Sequence, residues 1–408
     1  MDDPWTMPLD RIDVGNPQIF QDDLWEPYFA RLRRDDPVHR TSNELFGEFW
    51  SVTKYRDIMA ADTNHQAFSS ESALGGITLI NQPAEFRLPM FIAMDPPRHD
   101  EQRRVVAPIV GPGNLAHLAG IIRERAGRIL DALPRNQVFD WVDLVSIELT
   151  TQMLATLFDF PFEERRKLTY WSDVATANPR APGAVVTSEE ERFAELRKMA
   201  EAFIVLWNER VNAPPRHDLI SMLAHGESTR TMPPHEFMGN LVLLIVGGND
   251  TTRNSISGGV LALNENPHQY QRLRDDLSLI PRMVPEIIRW QTPLAYMRRT
   301  ALRDTELGGK TIREGDKLAM WYISGNRDDE VIERANEFII DRARPRQHLS
   351  FGFGIHRCVG NRLAEMQLAI LWEEIMRRFP VIEVMDKPRR VYSSFVHGIA
   401  SLPVRIPG

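Results

Sequence analysis

Phe351-Gly352-Phe353-Gly354-Ile355-His356-Arg357-Cys358-Val359-Gly360 contains the only cysteine in the 408-residue chain. Its glycines permit a tight loop whose amides can turn toward the sulfur. Apolar residues at helical spacing follow over about 360–379, so Cys358 stands at the positive N-terminal end of a helix. His356 and Arg357 add donors and positive charge. Together these features predict a thiolate, whereas a lone cysteine is ordinarily a small buried hydrophobe. A thiolate can attack a substrate or hold a metal. Attack needs a free base and an oxyanion hole, and no signature of either is present. Axial ligation of a haem iron needs one shielded sulfur and cations for two propionates, which suits these residues better.

Composition narrows the alternatives. The formal charge is −7 and the pI about 5.9, which argues against a nucleic-acid partner. A hydrophobic fraction of 43% with 26% charged residues excludes a disordered chain. One cysteine excludes an internal disulfide framework, a multi-cysteine zinc site and an iron–sulfur cluster. The start, Met1-Asp2-Asp3-Pro4-Trp5, lacks the basic and apolar regions of a secretory signal. The longest apolar run, Leu241 to Val246, is far short of the roughly 20 residues that span a bilayer. A cytoplasmic protein with no transmembrane anchor is expected.

Length alone suggests two or three domains, yet no linker, repeat or low-complexity block marks a seam. The expectation is a single domain over 1–408, mainly α with small β-sheets. A helical body covers about 98–290 and 360–379, with helices near 118–132, 142–158, 190–211, 234–264 and 283–290. The β-rich part comprises a hairpin over 38–53 around Gly47, strands over 295–323 and C-terminal strands over 381–406. The helix after Pro233-Pro234 is about 45–50 Å long. It is apolar nearly all round before reaching Gly247-Gly248-Asn249-Asp250-Thr251-Thr252. Two glycines beside an acid and two hydroxyls suggest a backbone opened for close approach.

Phe351-x-x-Gly354-x-His356-x-Cys358-x-Gly360 resembles the haem-binding loop of the cytochromes P-450, the haem-thiolate monooxygenases. Three further stretches resemble that family in the same order along the chain: Pro96-Pro97-Arg98-His99 with Arg103, the acid–alcohol stretch around Asp250-Thr251, and Glu286-x-x-Arg289. The resemblance implies the P-450 fold, with a long central helix over haem b. It implies Cys358 as the axial iron ligand and His99, Arg103, Arg299 and His356 as propionate partners, with Arg298 as a substitute. Phe351 opens the haem loop. Asp250 and Thr251 would manage protons on the distal side, the hydroxyl holding oxygen and water while the carboxylate relays protons from solvent. Glu286 and Arg289 would form a buried ion cluster with Arg342. Ile339-Ile340 departs from the proline-bearing pattern there, which leaves Arg344 and Arg346 as neighbouring alternatives.

A finer resemblance, to bacterial alkane and fatty-acid terminal hydroxylases, lies in Gly248-to-Ser255, Met283-Val284-Pro285-Glu286, Ser324-to-Asp329 and His348-Leu349-Ser350-Phe351. It implies O2 as co-substrate and a hydrophobic small molecule as substrate. The electrons would come from a ferredoxin and its NAD(P)H-dependent reductase, docking near Arg344, Arg346 and Arg362. Terminal C–H bonds are stronger than their neighbours, so oxidation at a chain end requires a narrow channel. Leu294, Met297 and Phe395 are the candidate constriction, with Val246 and Gly247 beside them. Leu74, Ile77, Leu79, Ile80, Phe86, Leu88, Met90, Phe91, Ala295, Tyr296 and Val396 are candidate walls, and 163–212 is a candidate helical lid with a mobile loop over 178–187. The competing readings are a haem-thiolate hydroxylase of terpene, steroid or other ring substrates, a cysteine-nucleophile hydrolase, and a non-catalytic haem sensor.

Overall fold

The computed structural model describes residues 2–408; Met1, the first residue of the N-terminal stretch read above, lies outside it. The long helix spans Pro234–Glu265. It starts with proline at its first position, where the missing N–H costs nothing, and stops at Asn266-Pro267, where the Pro267–Asp275 helix begins. The helices Glu148–Phe158, Arg166–Thr176, Glu189–Val211 and Ile280–Gln291 pack on it. Their buried apolar faces form the largest hydrophobic cluster of the molecule.

Gly247 and Gly248 do not open this helix, which is continuous from Pro234 to Glu265. At Gly248 a Cβ would lie 2.6 Å from a Leu154 methyl, whereas at Gly247 it would meet nothing within 4 Å. One glycine therefore serves close helix packing, and the other leaves empty space beside the helix.

The other helices fall near their sequence positions, at Pro112–Asp131, Glu148–Phe158 preceded by a π-helical Val142–Ile147, Glu189–Val211, Ile280–Gln291 and Asn361–Arg378. Ser188 caps the Glu189–Val211 helix, accepting from the Glu191 amide at 3.1 Å, with three glutamates in the first turn.

The main sheet has five strands in the order Val38–Asn43, Gly47–Val52, Lys317–Met320, Met297–Ala301 and Phe68–Ser69. Gly47, at φ +68°, opens the second strand, so the hairpin turn lies just before it. Val52 pairs with Val38 and Met320, and Arg299 sits opposite Leu318. The C-terminal strand Pro403–Arg405 pairs with both Glu383–Val384 and Val138–Asp140. The 138–140 strand is short and carries no alternation from which its pairing could be read.

Candidate active site

A cavity of about 360 Å³ lies between the long helix and the Cys358 loop, and Cys358 is part of its wall. The loop closes through the Cys358 amide, which donates to the Phe351 carbonyl at 2.8 Å. Gly354 takes φ +65°, and a Cβ there would meet the Asp62 carbonyl at 2.6 Å, so both conformation and space demand glycine. Burial pushes the Cys358 thiol above its ordinary pKa. The amides of Gly360 and Asn361 and the guanidinium groups of Arg103 and Arg357 act in the opposite direction and are outweighed. The loop amides, the helix end and the cations thus act in the direction read from the sequence. They favour the anion, desolvation opposes it more strongly, and a coordinated metal is what removes a thiol proton outright.

Four cationic or ring-nitrogen side chains converge on the same cavity: His99, Arg103, Arg299 and His356. His99 and Arg103 lie one turn apart on the Arg98–Val106 helix. The His99 and His356 rings are 4.4 Å apart. Arg103 donates to the Arg357 carbonyl at 2.5 Å, and Arg299 to Asp62 Oδ1 at 2.8 Å. His356 Nε2 lies 2.9 Å from Ser70 Oγ, while burial and then the Arg299 charge push its pKa down to about 2. His99 Nε2 and His356 Nδ1 are buried without a partner. Arg298 lies outside this cavity. Successive strand residues face opposite sides, and Arg298 donates instead to the Leu74 and Thr78 carbonyls and to Asn81 Oδ1.

Behind the loop, Glu286 is fully buried and accepts from Arg289 at 2.7 and 2.8 Å and from Arg342 Nε at 3.0 Å. Arg289 also donates to the carbonyls of Asn326, Ala335 and Glu337. Asn326 in turn donates to Ser350 Oγ and accepts from the Leu349 amide, at 2.9 and 2.7 Å. The ion cluster is thereby tied to the residues directly preceding Phe351. Arg344 and Arg346 are exposed and take no part in it, Arg346 pairing with Glu365 at 2.8 Å.

On the opposite wall, Thr251 lines the cavity and its hydroxyl donates to the Gly247 carbonyl at 2.9 Å. Asp250 points away from it. Its carboxylate is fully buried and accepts from Ser172 and Thr176 hydroxyls at 3.1 Å each, from Asn249 at 3.1 Å and from Arg253 at 2.7 Å. Arg253 also reaches Asp173, whose side chain is 37% exposed. Thr176 is itself part of the cavity wall, so Asp250 meets the cavity through a hydroxyl.

The Cytochrome P450 family model matches residues 182–406. Linalool 8-monooxygenase of Pseudomonas putida is 34% identical over 97% of this chain and 99% of its own. The chain belongs to the cytochrome P450 family. A methyl-branched lipid omega-hydroxylase of Mycobacterium tuberculosis is 32% identical over 98% of this P450 and 96% of its own length. Two solved structures superpose with a TM-score of 0.91. Cytochrome P450-153 from Novosphingobium aromaticivorans is 47% identical over 97% of this chain and 99% of its own, and CYP153D17 from Sphingomonas sp. PAMC 26605 is 50% identical over 98% and 100%. This P450 is therefore a haem-dependent monooxygenase that takes O2 and electrons from a redox partner. Among the described residues, no single helix is long and apolar enough to cross a membrane.

The site fits the cofactor. Two unpartnered ring nitrogens and two guanidinium groups line a chamber whose only cysteine presents its sulfur. Among the described residues, the acids paired with this group are Asp62 and Asp100, leaving donors for a dianion. Phe351 is part of the wall beside Cys358.

Of the expected substrate walls, Leu294, Met297, Phe395, Val246, Gly247, Ile77, Phe86, Leu88, Met90 and Phe91 line the cavity. Ala295, Tyr296, Leu79 and Val396 are core residues instead, Ile80 packs against that core, and Leu74 faces solvent. Strand geometry explains part of this, because Tyr296 turns opposite to its neighbour Met297 and packs on Trp321 and Phe395. Sequence reasoning missed Met153, Leu154 and Leu157, whose helix carries no motif to mark which of its apolar residues face a cavity. It also missed Thr176 and Arg87. The helices of the expected lid, Arg166–Thr176 and Glu189–Val211, both contribute to the wall.

Proposed function

We propose that this P450 hydroxylates the terminal carbon of medium-chain alkanes or fatty acids, with electrons supplied by a ferredoxin and its NAD(P)H-dependent reductase. The observation that carries this reading is a single cavity in which Cys358, Thr251 and an apolar wall of Leu294, Met297 and Phe395 meet. The name of the lipid omega-hydroxylase relative supports the chain-end position.

When bound through Cys358, haem iron supplies the activation of O2 and the oxidation of a C–H bond. His99, Arg103, Arg299 and His356 would hold its propionates, and the Glu286–Arg289–Arg342 cluster would keep the cysteine loop in place. Leu294, Met297 and Phe395 would admit a chain end-on, so that only the methyl group reaches the reacting centre. Excluding bulk water from this apolar chamber keeps oxidising equivalents on the substrate. Thr251 would hold oxygen and an ordered water, its hydroxyl already positioned by the Gly247 carbonyl. Asp250 would pass protons to the cavity through Thr176, drawing them from the solvent-facing Asp173 by way of water beside Arg253. Arg344 and Arg362, exposed on either side of the cysteine loop, would receive an acidic ferredoxin.

Turnover of dodecane and dodecanoic acid by the holoenzyme, followed by chromatographic product analysis, tests the reading. The expected main product is the terminal alcohol or ω-hydroxy acid. Opening the constriction with Leu294→Ala or Phe395→Ala should shift oxidation toward subterminal carbons. Native preference for ring compounds, or subterminal products from the native enzyme, would contradict the proposal.

A further inference from the structure

Four arginines line the cavity: Arg87, Arg103, Arg192 and Arg299. Arg103 and Arg299 belong to the cluster around Cys358. Arg192 is neutralised by Glu189, both of whose oxygens lie within 2.7 Å. Arg87 has a different status. Among the described residues no carboxylate lies within salt-bridge distance of it, yet it stands in a predominantly apolar wall between Phe86 and Leu88.

Its position is fixed by backbone. Arg87 Nε donates to the Gln82 carbonyl at 2.9 Å and Nη1 to the Ala73 carbonyl at 3.0 Å, which leaves Nη2 uncommitted. The surroundings place it where the 73–87 loop meets the lid. Gln82 reaches Glu189 on the lid helix at 3.4 Å, and the Phe86 ring packs against Phe193 of the same helix, centroids 5.7 Å apart. A half-buried, oriented guanidinium with a free donor and no carboxylate partner among the described residues, at the edge of an apolar wall, matches an amphiphile with one anionic end.

We infer that Arg87 is a specificity-determining residue that docks the carboxylate of a fatty acid while the chain runs along the apolar wall toward Cys358. This rests on the chain-end hydroxylase reading and narrows it, because an uncharged alkane gains nothing from Arg87. The preference for acid over alkane then resides in one side chain that is not among the residues assigned to haem and proton handling.

Spin-state titration of the holoenzyme with dodecanoic acid, its methyl ester and dodecane tests the assignment. In the native enzyme the acid should bind more tightly than the ester. In Arg87→Gln the acid should lose about tenfold in affinity, as expected for one partly solvated charge-assisted contact, while ester and alkane stay unchanged. Arg87→Lys, which keeps the charge without the fork, should recover part of the difference. The assignment is overturned if Arg87→Gln weakens acid and ester equally, weakens neither, or lowers haem content instead. A native enzyme that responds to none of the three chains would overturn the chain-end reading itself.

Discussion

Two buried carboxylates in this P450 sit in the same local pattern, an acid followed three residues later by arginine on one helix: Glu286–Arg289 and Asp250–Arg253. Both acids are fully buried, and their surroundings differ. Glu286 is closed in. It is held by two arginines and the Ile339 amide, and the remaining donors of Arg289 end on backbone carbonyls. Asp250 is open at both ends. The Thr176 hydroxyl separates it from the cavity, Arg253 shares it with the partly exposed Asp173, and Arg253 Nε has no partner. Burial and the nearby Asp250 charge raise the Asp173 pKa against the pull of Arg253. A saturated network fixes structure, while one with rotatable hydroxyls and an unfilled donor can move a proton. The distinction lies in the neighbours, not in the i,i+3 pattern.

The largest expected effect separates the two pairs by stability. Glu286→Gln leaves two buried guanidinium groups uncompensated and should cost about 3–5 kcal/mol. Asp250→Asn, where Arg253 keeps Asp173, should cost about 1–2 kcal/mol. Denaturant unfolding of the two holoenzymes measures both, and the reverse order would break the comparison. Turnover should show the opposite ranking. Asp250→Asn should lower the rate of product formation on the order of 100-fold, with an altered solvent isotope effect, while Glu286→Gln protein that retains haem turns over at close to the native rate. Thr251→Ala should sharpen the picture further. It should go on consuming NAD(P)H while product per reductant falls by about tenfold and hydrogen peroxide appears; native coupling in this variant would remove Thr251 from oxygen handling.

The smallest effect concerns acid. Burial alone would raise the Glu286 pKa, but Arg289 and Arg342 outweigh it and hold the carboxyl below its ordinary 4.5. A carboxyl depressed by folding stabilises the native state above the unfolded pKa, and the stabilisation is lost as pH falls through the folded value. Between pH 4.5 and the acid transition the native protein should therefore lose stability more steeply than Glu286→Gln. Parallel curves would mean that the cluster contributes no proton linkage.

The difference between the two pairs also marks what was legible in sequence. The cysteine loop could be read because its glycines, cations and single sulfur are local features. The helices could be read because each buries a continuous apolar stripe. Placing Asp250 behind the cavity wall instead of in it required knowing that the Arg166–Thr176 helix brings Ser172 and Thr176 alongside, 74 to 78 residues away in sequence. Ala295, Tyr296 and Val396 looked like cavity wall because apolar residues near a site cannot be sorted into wall and core until strand direction is known. Arg87 was passed over because attention to apolar residues in that loop hid the one cation among them.

The central claim is that Cys358 holds the haem iron through an ionised sulfur, and the visible spectrum of the reduced protein under carbon monoxide tests it most directly. The native enzyme should give the strongly red-shifted Soret band of a thiolate ligand, and Cys358→His should lose that band while still retaining haem. A native spectrum without the red-shifted band, or a variant that keeps it, would contradict the account.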